Sequence, residues 1–173
     1  MELKMETPPK LYSLNFNCIK TYLFAALFVV GNIALPQLCH LLPNGGITLL
    51  PIYFFTLIAS YKYGFRVGLL TAILSPLINH FLFGMPPVAV LPAILVKSTL
   101  LAGACALVVR NVKKISLIAI LIVIFFYQLI GTLCEWAFVG DFFVAIQDFR
   151  IGIPGMLIQW LGGYGLLKAI AKI

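Results

Sequence analysis

Charge is scarce in this chain, and negative charge is scarcest. Only 10% of its 173 residues are charged, and Asp and Glu together number 5. Soluble domains carry about 25% charged residues. That deficit, with 62% hydrophobic residues and a mean hydropathy of +1.09, excludes an ordinary soluble fold and indicates an integral membrane protein. Catalytic signatures are also missing. There is no GxSxG, no HExxH and no paired-carboxylate motif, so enzyme chemistry is not expected. Without a GxxxxGK followed by Ser or Thr there is no P-loop, and active transport would draw its energy from a partner or an ion gradient. Cys18, Cys39, Cys105 and Cys134 form no CxxC, and Cys39-His40 has no second pair, so neither a metal site nor a cofactor is implied. Cys39 and Cys134 fall near one membrane face, where they could pair or serve as small apolar packers. The net charge of +7 is scattered between apolar runs and makes no contiguous patch, which argues against nucleic acid.

What is present is a series of apolar runs. They cover about 18–38, 48–61, 67–83, 88–109, 115–136 and 151–167. The first is too long for a signal peptide and has no convincing cleavage site before Pro36, so it reads as a retained helix. Pro43, Asn44, Gly45 and Gly46 make a turn before the second run, and Pro86-Pro87 closes the third. Pro76 predicts a kink inside that third run, whose Gly68, Thr71, Ser75 and Asn79 share one helical face. The connection 137–150 is the longest and is expected to fold over the bundle surface. The expected fold is all-α: six transmembrane helices in one compact bundle, a single domain over 1–173, with both termini cytoplasmic. Lys4, Lys10, Lys20, Lys62, Arg66, Arg110, Lys113, Lys114, Lys168 and Lys172 then lie at the inner face. Glu135, Asp141, Asp148 and Arg150 lie outside, in a multi-pass protein of the cell (inner or plasma) membrane, in contact with lipid.

One interior charge stands out. Lys97 lies nine residues beyond Val88, roughly 13–14 Å along a helix. A lysine within a bilayer costs about 2.5–3.5 kcal/mol on insertion scales, so it is expected to face a protein interior or a wet cavity. Gln128, Gly131, Thr132 and Glu135 share a face of the fifth run, and Gln159 falls at similar depth in the sixth. These residues suggest an outward-facing polar pocket in the outer half of the bundle. Its candidate residues are Lys97, Gln128, Glu135, Asn79, His80, Gln159, Trp136, Trp160 and Asn44. Plainer roles stay open. Gln128 and Gln159 suit interhelical hydrogen bonds, His80 a solvated position, Trp136 an interface anchor, and Gly155, Gln159, Gly162 and Gly163 close helix packing. Lys97 would suit a carboxylate or phosphate and Glu135 a cationic or amide group, or the two charges neutralise each other.

The segments Leu42-Pro-Asn-Gly-Gly46, Leu49-Leu-Pro-Ile-Tyr53, Tyr63-Gly-Phe-Arg-Val-Gly-Leu69, Leu91-Pro-Ala-Ile-Leu-Val96 and Leu101-Ala-Gly103 accompany the six-run pattern. Together they resemble the S component of energy-coupling-factor (ECF) transporters over nearly the full chain. The resemblance implies a subunit that captures a vitamin or related micronutrient from outside. It also implies docking onto a transmembrane scaffold subunit and two ATPases. The first helix of that family commonly carries an alanine-x-x-x-alanine scaffold contact, and the nearest spacing here is Ala26, Val30, Ala34. Two alternatives stand beside it: a structural membrane subunit of an envelope or cell-shape complex, similar to the rod-shape factor with an S-component-like fold, and a small membrane enzyme or stand-alone channel.

Overall fold

The computed structural model describes residues 10–172, which hold helices and no strand. Lys4 therefore lies outside the described residues. In chain order the helices are α1 (Ile19–Cys39), α2 (Gly45–Leu49), α3 (Phe54–Tyr63), α4 (Phe65–Phe83), α5 (Leu91–Val112) and α6 (Leu117–Val139). Then follow α7 (Phe142–Ala145), α8 (Gln147–Ile151), α9 (Ile153–Leu157) and α10 (Gly163–Ala169). Four of them, α1, α4, α5 and α6, are long and apolar enough to cross a membrane. Their outer surfaces carry Leu23, Leu27, Phe81, Leu107, Ile118 and Phe125, a solvent suited to lipid and not to water.

The second and sixth expected spans are not single α-helices. The run 48–61 is broken at Leu50, whose left-handed backbone (φ 46°, ψ 47°) ends α2. A 3₁₀ turn, Pro51–Tyr53, restarts the chain, because proline is at home in a first turn where no N–H is needed. In the last run a π turn over Ile158–Gly162 joins α9 to α10. The first irregularity, Leu50–Tyr53, is covered by protein, as irregular backbone at membrane depth must be, whereas the π turn buries Gln159 and leaves Ile158 and Leu161 exposed. Gly155 makes the covering of the first possible. A Cβ there would stand 2.4 Å from the Leu49 carbonyl carbon. Gly163 packs less tightly, a Cβ there standing 3.2 Å from Leu57 Cδ2, and both glycines serve helix approach.

Helix α3 is the axis of the bundle: every residue from Thr56 to Tyr63 is buried. Around it pack α1, α4, α5 and α10. The polar face read on α4 points inward, with Gly68, Thr71, Ser75 and Asn79 all buried, and the helix continues through Pro76. Asn32 of α1 ties the layer together. Its Nδ2 donates to Thr56 Oγ1 (3.0 Å) and Ser75 Oγ (3.2 Å), its Oδ1 accepts from Phe55 N, and its carbonyl accepts from Asn79 Nδ2.

The two ends of the bundle differ. At one, Lys10 N donates to Ala171 O, and the buried Lys62 Nζ donates to the carbonyls of Lys10 (2.6 Å) and Ala171 (3.3 Å). Tyr61 reaches Lys114 O, and Arg66 bonds Asn15 there too. The cations of four separate segments thus gather where the first and last described residues meet. At the other end lie the 40–45 turn, the 84–90 connection and α7–α8. Cys39 and Cys134 are both free.

Asn32→Leu removes three side-chain bonds between helices. At about 0.6–1.7 kcal/mol for each such bond in a membrane, it should cost about 2–5 kcal/mol of stability. Loss of the folded peak on heating in mild detergent would measure this, and an unchanged midpoint would count against Asn32 as the tie.

Candidate functional site

Lys97 sits six residues into α5, because the helix starts at Leu91 and not at Val88. That places it about 9 Å from the helix start, shallower than the span boundaries suggested. It is 1% exposed. Its Nζ donates to Glu135 Oε2 at 2.6 Å and to Asp148 Oδ2 at 2.7 Å. The two carboxylates come from different elements, α6 and α8, and keep 12% and 21% of their side-chain exposure. The formal charge of the cluster is one positive against two negative. A buried ammonium needs such partners, since desolvation alone costs several kcal/mol per ion.

Gly131 explains how Lys97 reaches them. It lies one turn before Glu135 on α6, and a Cβ there would stand 2.4 Å from Lys97 Cγ. The missing side chain lets the lysine stem lie flat across α6. Asp148 was legible in sequence only as an exterior acid. The connection that carries it does not merely lie over the surface: α7 and α8 fold it back so that Asp148 meets Lys97. Asp141 has a different task, capping α7 by accepting from Phe143 N and Val144 N.

The cluster forms one wall of a cavity of about 350 Å³. Leu50, Ile52 and Tyr53 of the broken second run line it, with Pro86 and Pro87 from the α4–α5 connection and Gln147 beside Asp148. The size falls at the low end of the range of ligand sites, about 300–1,000 Å³. A smaller cavity of about 80 Å³ shares Gly46, Ile52, Met85, Pro86 and Ile94 with it. Asn79 lines this annex and is 2% exposed. Its Nδ2 is spent on Asn32 O and Ser75 O, while Oδ1 has no hydrogen-bond partner among the described residues. Gln37 Nε2, in the same annex, is likewise buried and unpartnered there. A wider hollow of about 620 Å³ at the opposite end is lined by Leu14, Leu23, Phe24 and Leu27 around Lys20. It holds no carboxylate among the described residues and opens on the apolar outer face of α1.

The other candidates are placed elsewhere. Gln128 is fully buried between helices, does not line the cavity, and neither of its amide atoms has a partner among the described residues. Gln159 is structural: its Oε1 accepts from Tyr127 Oη (2.7 Å), and its Nε2 reaches the Leu50 carbonyl that the helix break frees (3.4 Å). His80 Nδ1 lies 2.8 Å from Pro86 O, so it donates to the carbonyl and braces the connection behind the cavity. Trp136 is 46% exposed and packs edge-on to Phe142, and Trp160 Nε1 donates to Leu117 O at the far end of α6, so neither tryptophan walls the cavity. The aromatic that does is Tyr53. Asn44 is exposed with a left-handed backbone, and its carbonyl starts α2 by accepting from Thr48 Oγ1. On α1, Ala26, Val30 and Ala34 all lie on the exposed face, Val30 at 62%.

Lys97→Met strands two carboxylates side by side. It should cost about 3–5 kcal/mol, the loss expected when one partner of a buried ion pair is removed. The triple variant Lys97→Met/Glu135→Gln/Asp148→Asn should recover most of that loss. Thermal midpoints of the two variants decide it, and equal midpoints would show that the cluster carries little strain. No family model, no curated protein and no solved structure matches this chain.

Proposed function

We propose that this protein is the substrate-capture subunit of an importer of the energy-coupling-factor type, taking a vitamin or related micronutrient from outside the cell. The carrying observation is the cavity that holds Lys97, Glu135 and Asp148 at the end opposite the gathered cations. The broken α2–α3 segment supports the same reading. Transporters place irregular backbone where it lines a binding site, and Leu50, Ile52 and Tyr53 do so here.

In this reading the chain crosses six times. The α2–α3 segment and the α9–α10 rod supply the second and sixth crossings. The positive-inside rule puts Lys62, Arg66, Lys113, Lys114 and Lys168 in the cytoplasm, with both termini. The cavity then faces outward. The exposed Ala26, Val30 and Ala34 face is the part of α1 offered to a transmembrane scaffold, which two ATPases would drive.

A second reading is a structural subunit of an envelope complex that binds no small molecule. It is favoured by the fact that Lys97 already has two partners within the chain. Mass spectrometry of small molecules released from protein purified in mild detergent separates the two. A stoichiometric vitamin-like compound is expected. An empty protein that also fails to respond to a vitamin panel on heating would favour the structural subunit.

Orientation has its own test. With the four native cysteines replaced, Asn44→Cys should react with a membrane-impermeant maleimide in intact cells. Asn111→Cys should react only after lysis. The reverse pattern would invert the protein and turn the cavity inward.

A further inference from the structure

We propose that the cavity takes a small organic cation: a protonated amine or a positively charged nitrogen heterocycle that also carries a hydrogen-bond donor. This rests on the small-molecule reading above and adds the ligand's charge.

Three features of the site bear on the ligand, and the charge of the ion cluster carries the proposal. The first is charge arithmetic. Lys97 faces Glu135 and Asp148, so one negative charge is left over at the cavity wall. Each carboxylate gives one oxygen to Lys97, and neither has a further hydrogen bond or ion pair among the described residues. An anionic ligand would meet two carboxylates before it met the ammonium, which already donates to both. A cation meets the surplus directly, in surroundings where few other charges screen it.

The second feature is the annex. Asn79 Oδ1 is an acceptor without a partner among the described residues, on a side chain 2% exposed that lines the adjoining space, and Gln37 Nε2 there is a donor in the same position. Buried acceptors of this kind are costly, so one left open in a cavity marks where a donor belongs. The third is Tyr53. It is the aromatic ring of the cavity lining and stands in the wall with the two carboxylates. An aromatic ring beside two carboxylates suits a cation better than an anion. Lys97 in this scheme is a positioning residue: it holds the two carboxylates together and keeps the surplus at one charge.

The test uses the purified full chain in mild detergent at low salt. The probes are nicotinate, nicotinamide and ring-methylated nicotinamide, one shape with negative, no and positive charge. Thiamine and pyridoxamine serve as larger cations, biotin and riboflavin as larger non-cations. Binding is read by calorimetry and by thermal shift, beside the mass of any molecule released from the protein. Cations alone should bind, and Glu135→Gln should weaken them about tenfold. Asp148→Asn should do the same from a short peripheral helix, which guards against a folding failure of the first variant. A released or bound molecule that is neutral or anionic, unaffected by either substitution, would overturn the cation proposal and leave the capture function standing. No binding of any probe, with nothing released, would overturn the capture function itself and the cation proposal with it.

Discussion

An ammonium buried to 1% exposure has to be answered by acceptors; Lys97 is answered by charge, and in this chain the choice of charged partners is narrow. Beyond the first ten residues there are only three carboxylates, Glu135, Asp141 and Asp148. Two of them converge on Lys97 and the third caps α7. Because Glu135 belongs to α6 and Asp148 to α8, the ion cluster clamps α5, α6 and the α7–α8 connection together. The covering of the cavity depends on that clamp, since Asp148 brings Gln147 and Val144 to its wall.

The same need for partners inside the bundle accounts for features that look unrelated. Gly131 has no side chain because the stem of Lys97 passes over it. The break at Leu50 is stable because Gln159 reaches its carbonyl and Gly155 lets α9 approach the backbone of Leu49. Polar groups inside such a bundle cannot fall back on water, so each irregular carbonyl needs a named donor. Where donors and acceptors are left over, at Asn79 and Gln37 beside the cavity, the space next to them gains meaning. Gln128, Ser98 and Thr132 are also without a side-chain partner among the described residues, away from the cavity lining.

The opposite end is built on different terms. Lys62 is as buried as Lys97 but is held by carbonyls of Lys10 and Ala171 and lies 5.3 Å from the Tyr12 ring centroid. It fastens the two ends of the described chain to α3. One buried lysine therefore shapes a site, and the other closes the fold.

Composition and periodicity were enough to determine an all-helical, lipid-suited chain, because lipid demands apolar surfaces and internally satisfied backbone. Spacing along one helix was also legible. It put Gly68, Thr71, Ser75 and Asn79 on one face of α4 and Gly131 and Glu135 on one face of α6. Distances between helices were not legible. Trp136, Trp160 and Gln159 have the right residue types and plausible depth, yet they turn to Phe142, Leu117 and Leu50. Asp148 sits in what reads as a loop, and only the fold of α8 carries it to Lys97. The sequence by itself established that a buried lysine required a partner. Which carboxylates would answer, and that there would be two, depended on the packing of α5, α6 and α8, because an ion pair is set by separation in space and not along the chain.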